Sequence, residues 1–134
     1  MVREGEKRGM SSARKIKDSY ICSLLLSHDL IGGKWKMRIL WHIIQGDNRF
    51  SLLEKGIPDI TQKVLSSQLR ELEASGILSK RVIKEQPPKT IIYEINEKYH
   101  ELIPIVNQIC DFSLHYAKEH DILIQEEKNE KCCL

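Results

Sequence analysis

One stretch in the middle of the chain constrains the fold more than any other. It runs from Thr61 to Ser75, Thr-Gln-Lys-Val-Leu-Ser-Ser-Gln-Leu-Arg-Glu-Leu-Glu-Ala-Ser, and Gly76 closes it. Thr61 is a good N-cap, because its hydroxyl can accept a bond from an otherwise orphan helical amide. Gly76 suits the C′ position, where the backbone turns left-handed and the helix stops. Leu65, Leu69 and Leu72 fall at i, i+4 and i+7 and form one apolar stripe. Opposite that stripe stand Lys63, Ser67, Arg70 and Ala74, flanked by Gln62 and Ser66, with Glu71 and Glu73 to the sides. Small residues allow close approach to DNA, amides and guanidinium read base edges, and amines hold phosphate. Taken alone, the stretch equally fits an ordinary amphipathic surface helix. The segments around it decide between the two.

The 134 residues fit one domain with a real core. A chain that is 41% hydrophobic and 30% charged has an ordinary globular composition. Its formal net charge of +2 is too weak to identify a nucleic-acid partner, so any basic footprint must be local. No apolar run is long enough to span a bilayer. Ile21 to Leu26 is too short, and lies too far inside, to be a signal-peptide core. The expected location is the cytoplasm. Cys22, Cys110, Cys132 and Cys133 form neither a disulfide framework nor a zinc-ribbon or thioredoxin spacing. The ending Lys131-Cys132-Cys133-Leu134 is not a prenylation box, since Lys131 stands fourth from the end.

Residues 1–18, with Arg3, Lys7, Arg8, Arg14, Lys15 and Lys17, read as a basic, mobile arm. A helix is expected from about Ser19. Tyr20, Ser23, Leu24 and Ser27 share one side while Leu25, Leu26, Asp29 and Leu30 crowd the others, an apolar arc wide enough for two packing partners. Gly32-Gly33 breaks it. A second helix spans Lys34 to Gln45, with Trp35, Ile39, Leu40, Ile43 and Ile44 inward, and Gly46-Asp47 ends it. Arg49-Phe50 reads as a one-rung strand. Ser51 caps a short helix to Gly56 that buries Leu52 and Leu53, and Ile57-Pro58-Asp59-Ile60 turns the chain into the Thr61 helix. A short helix, a tight turn and a longer capped helix is helix-turn-helix order.

After Gly76 the runs Ser79 to Lys84 and Thr90 to Ile95 alternate as strands, joined by Glu85-Gln86-Pro87-Pro88-Lys89. Two strands directly after a recognition helix make a wing. Asn96 is expected to cap a last helix in which Tyr99, Leu102, Ile103, Val106, Ile109, Cys110, Ser113, Tyr116 and Ala117 keep helical spacing. Pro104 inside it is expected to introduce a kink. Residues 119–134 read as an acidic, frayed tail, which leaves 19–118 as the folded domain. The expected fold is α+β and mostly helical: a winged helix-turn-helix with a two-stranded wing and N- and C-terminal dimerisation helices.

Several segments, in order, resemble the HxlR-type winged-helix transcriptional regulators. They are Cys22, Asp29-Leu-Ile-Gly-Gly-Lys-Trp-Lys36, Arg49-Phe50, Ile57-Pro58, Ile60-Thr-Gln-Lys63, Gln68-Leu-Arg-Glu-Leu-Glu73, Gly76 and Pro87-Pro88. The likeness runs from about Cys22 to Phe112. It implies a homodimeric, sequence-specific DNA binder, and a cysteine at the Cys22 position that senses oxidants or electrophiles in some members. Two positions depart from the pattern. Ser23 stands where a proline commonly follows the cysteine, and Thr61 stands where serine is usual.

The residues expected at DNA are Gln62, Lys63, Ser66, Ser67 and Arg70 facing the major groove, Thr61 at the start of the same helix, and Lys89, Arg49, Lys34 and Lys36 on phosphate. Cys22 is the candidate redox residue, near a helix start and downstream of Arg14, Lys15 and Lys17. Its competing reading is a buried cysteine of the dimer seam. Cys132 and Cys133 are candidate resolving thiols. No nucleophile elbow, phosphate-cradling loop or His-Glu-x-x-His pair is present, so neither an enzyme nor a bound cofactor is expected. The main alternative is a metal-responsive repressor using Cys110, Asp111, His115 and His120 of the last helix. Against it, Cys110 projects about 100° from Asp111 on a helix, and Cys110 serves equally as a small core hydrophobe. A winged helix used for protein contact would carry exposed aromatic or aliphatic anchors on the Lys63, Ser67, Arg70 face.

Overall fold

The computed structural model describes residues 16–125. The basic arm before Ile16 and the tail beyond Gln125, with Cys132 and Cys133, lie outside the described residues. Among the described residues five α-helices and one antiparallel hairpin follow in the order α1 (Ser23–Ile31), α2 (Lys36–Ile44), α3 (Phe50–Gly56), α4 (Gln62–Ala74), β1 (Leu78–Lys84), β2 (Thr90–Ile95) and α5 (Leu102–Glu119). This is the expected α+β winged helix-turn-helix. Among the described residues no helix is long and apolar enough to cross a membrane.

The core forms where three stripes meet. Ile39, Leu40 and Ile43 come from α2, Leu53 from α3, and Leu65, Leu69 and Leu72 from α4. Ile57 and Ile60 fill the turn between α3 and α4, and Leu102 and Val106 of α5 close the far side. Leu78 and Ile95 pair across the base of the hairpin and seal it. The α2 C-terminus is held by a buried pair, His42 Nδ1 to Asp47 Oδ2 at 3.0 Å, beneath Gly56. A side chain at Gly56 would place its Cβ 3.0 Å from that imidazole nitrogen.

Several sequence expectations need correction. Helix α1 begins at Ser23, and Cys22 is its N-cap, with Sγ accepting from the Leu24 amide at 3.4 Å. Helix α2 starts at Lys36, not Lys34, with Trp35 at the N-cap position. Ser51 does not cap α3; Phe50 is its first residue and Arg49 its N-cap, without a side-chain bond. Of the two leucines expected inside, Leu53 is buried and Leu52 half-buried. Arg49-Phe50 is not a strand; the single rung beside the hairpin is the Tyr93 amide donating to the Asn48 carbonyl at 2.8 Å. Asn96 caps a 3-10 turn, Glu97–Tyr99, before α5 begins at Leu102. Pro104 is therefore in the first turn of α5, where the missing amide breaks no helical bond, so the kink has no cause.

Candidate DNA interface

Helix α4 takes its shape from its caps and its stripe. Thr61 sits extended and its Oγ1 accepts from the Val64 amide at 3.1 Å. Gly76 takes a positive φ of 89°, which glycine adopts without steric cost. With Leu65, Leu69 and Leu72 buried, helical geometry turns Lys63 and Arg70 outward, and both are exposed together with Thr61 and Gln62. Ser66 and Ser67 are half-buried on the same stretch. The Arg70 guanidinium donates to Ser66 Oγ at 3.1 Å, which steadies the arginine along the helix.

Two cations of α2 fix that helix and the turn before it. Lys36 was expected on phosphate, and the structure corrects this. Its residue is only 2% exposed, and its ammonium lies 2.6 Å from Glu71 Oε1 and 3.1 Å from Gln68 Oε1. A buried ammonium must be paired, so Lys36 faces α4 and pins its middle. Two residues on, Arg38 holds Asp59 at 2.9 and 3.3 Å, in the turn just ahead of Thr61. The Asp59 carboxyl is held below its ordinary range, chiefly by the hydrogen bond from Arg38, with the charges of Arg38 and Lys34 adding. Sequence reading missed both partnerships, because their members stand 35 and 21 residues apart.

The remaining predicted cations lie on three separate elements. Lys34 is exposed beside α2, its ammonium 4.7 Å from the centre of the Trp35 ring. Arg49 is exposed at the start of α3, and Lys89 is exposed in the loop after Pro87-Pro88. On the wing, Lys80 reaches Glu73 of α4 at 3.7 Å and Arg81 pairs with Glu94, so the hairpin carries its own charge ties.

Cys22 is a free thiol, exposed on the single chain. Around it α1 buries none of its residues, and Leu24 is 73% exposed. On α5 Ile105, Ile109, Phe112 and Tyr116 are also exposed, Phe112 at 66%. The proposed metal ligands of α5 do not converge. His115 pairs with Glu119 at 3.8 Å, His120 bonds the Tyr116 carbonyl and stacks on that ring at 4.1 Å, and Cys110 is disulfide-bonded. Among the described residues no group of three or more histidine, cysteine or carboxylate side chains is placed to hold a metal.

A helix-turn-helix with its second helix polar outward, followed by a two-stranded wing, is the architecture of a DNA-binding transcriptional regulator. Residues 30–121 match the family model described as HxlR-like helix-turn-helix, and the chain belongs to that family. It is 39% identical over 114 residues to an uncharacterized HTH-type transcriptional regulator of Methanothermobacter thermautotrophicus, covering 85% of this chain and 82% of that one. Among solved structures it resembles the redox regulator HypR in its reduced form, with a TM-score of 0.69 and 35% identity, over 76% of this chain and 100% of HypR. The reduced form of the regulator YodB from Bacillus subtilis is similar at a TM-score of 0.59 and 28% identity, over 75% of this chain and 94% of YodB.

Proposed function

We propose that this regulator binds an inverted-repeat operator as a homodimer, in the cytoplasm. Gln62, Lys63, Ser66, Ser67 and Arg70 of α4 read bases, with Thr61 fixing the start of that helix. Lys89, Arg49 and Lys34 hold phosphate. The observation that carries the reading is the division of α4, whose apolar stripe is wholly buried while Gln62, Lys63 and Arg70 are exposed. Dimerisation rests on α1 and α5, whose exposed Leu24, Leu25, Ile109 and Phe112 make more apolar surface than a monomer of this size usually leaves uncovered. Two-fold pairing sets two copies of α4 about one DNA turn apart, roughly 34 Å, or a multiple of it.

The test is selection from a randomised oligonucleotide pool with the purified protein. An enriched inverted repeat with half-sites one turn apart is expected. A pool that stays random at every round rejects the reading.

Cys22 is the sensing residue in this proposal. Its sulfur is exposed at the start of α1, the helix assigned to the dimer seam, and HypR, a similar protein, is a redox regulator. Oxidation to a sulfenic acid or an inter-subunit disulfide adds polarity or a geometric constraint at that seam. Diamide is expected to change operator binding by wild-type protein and not by Cys22→Ser. An identical response in both proteins removes Cys22 from the role.

A further inference from the structure

Beyond α5 the chain turns back on itself. Asp121 takes a positive φ of 56°, and the Ile122 amide donates to the Ala117 carbonyl at 2.8 Å. Ile124 and Gln125 then line the groove between α2 and α5, together with Met37, Trp41, Val106 and Cys110. Cys110 stands in the middle of α5, so the residues that follow the helix have returned past its last turns. The groove is in part filled by its own chain.

The cysteines point the same way. Cys22 is a free thiol, whereas Cys110 is disulfide-bonded within the single chain. The sequence holds only two other cysteines, Cys132 and Cys133. From Gln125 to Cys132 an extended chain spans up to about 23 Å, so either sulfur is within reach of Cys110. On α5, Cys110 shares a stripe with Val106 and Ala117, both buried. The exposed Ile105, Phe112 and Tyr116 lie at least about 120° round the helix from it, so a bond at Cys110 leaves that face clear.

We infer that the C-terminal segment closes over the α2–α5 groove and is tied to α5 by a disulfide from Cys110 to Cys132 or Cys133. The two thiols give up two protons and two electrons to a two-electron oxidant; hydrogen peroxide leaves as two waters and diamide as its hydrazine, and a dithiol reverses the step. The Trp41 indole Nε1–H is buried without an acceptor among the described residues, so the groove wall carries a donor that a backbone carbonyl can meet. The tie gives the tail thiols to Cys110 rather than to Cys22. It does not rest on the operator reading.

The test begins with reduced full-length protein, oxidised with diamide, alkylated and digested with trypsin without reduction. The expected product joins peptide 99–118, which holds Cys110, to peptide 132–134. Cys132→Ser and Cys133→Ser, tested singly, identify the partner. When ¹⁴N- and ¹⁵N-labelled proteins are mixed before oxidation, no mixed-isotope pair is expected. Cys110 recovered as an alkylated thiol, a link to Cys22 or a mixed-isotope link overturns the inference.

Seating in the groove is read by equilibrating the pair with glutathione, which measures its effective concentration. A flexible link gives about millimolar, and a seated segment should exceed that at least about tenfold. Ile124→Glu should return the value to that of a flexible link, with an unchanged circular dichroism spectrum. The ¹⁵N signal of the Trp41 indole should shift between the oxidised and reduced wild type and stay fixed in Cys132→Ser/Cys133→Ser. A wild-type value at the flexible level, an Ile124→Glu protein equal to wild type, or an unmoved Trp41 signal overturns the docking. These measurements contain no DNA, so their failure is distinguishable from failure of the operator reading.

Discussion

Helices α4 and α1 are both short, both capped by a side chain at the N-terminus, and otherwise opposite. In α4 every leucine of the stripe is buried and the outward face is polar. In α1 nothing is buried and Leu24 and Leu25 stand in solvent, although the helix is the more apolar of the two. The difference shows that α4 is completed by its own chain, through the core, Lys36 and the Thr61 cap. Helix α1 touches the core only through its last residues, Leu30 and Ile31, and no described residue covers the rest of its apolar surface. A hydrophobic sequence is thus no guide to burial within the monomer, and the contrast separates the reading part of the molecule from the part assigned to pairing.

The sharpest way to break α4 without touching its DNA face is Lys36→Met. It strands the Glu71 carboxylate in a buried site, and loss of one member of a buried pair costs about 3–5 kcal/mol. Chemical denaturation should show that loss, and adding Glu71→Leu should recover most of it. A Lys36→Met protein as stable as wild type would mean that the pair does not hold α4.

On the other helix the same kind of change acts on association. Leu24→Glu places a charge on the exposed seam and should weaken dimerisation by about 2 kcal/mol or more, the scale of an interface anchor. Sedimentation equilibrium reads it as a shift toward monomer, while the circular dichroism spectrum stays that of wild type. An unaltered association constant would take α1 out of the seam.

Thr61→Ala is the milder test of α4. The Val64 amide loses its acceptor, and removal of such a cap costs about 1 kcal/mol. The equivalent change at α1, Cys22→Ala, removes a weaker sulfur acceptor and should alter stability by less than about 0.5 kcal/mol. Thermal melts of the two variants compare the caps directly. A larger loss at Cys22 than at Thr61 would reverse the ranking.

Sequence periodicity made α4 legible because cap, stripe and terminating glycine are all local signals. The hairpin was legible for the same reason, from alternation on either side of Pro87-Pro88. Lys36 was misplaced because a lysine at a helix start looks solvated until its partner is known. That partner, Glu71, lies on another helix. Arg38 escaped notice on the same ground, since Asp59 reaches it only once α2 and the α3–α4 turn are packed. The Pro104 kink failed through a boundary error of a few residues. With the 3-10 turn at Glu97–Tyr99 inserted, the proline moves from the middle of α5 to its first turn. The exposure of α1 could be guessed from its wide apolar arc, but only the packed core shows that none of its residues is buried.

The central claim is that α4 reads sequence while the wing holds the backbone. It is tested most directly by titrating wild type, Arg70→Ala and Lys89→Ala against the selected operator and its single-base variants over a series of salt concentrations. Arg70→Ala should cost about 1–3 kcal/mol on the operator and erase discrimination at one position of each half-site. Lys89→Ala should weaken all sequences alike and reduce the salt slope by about 1. If both variants kept wild-type affinity, discrimination and salt slope, the assignment of α4 to the bases and the wing to the phosphates would be contradicted.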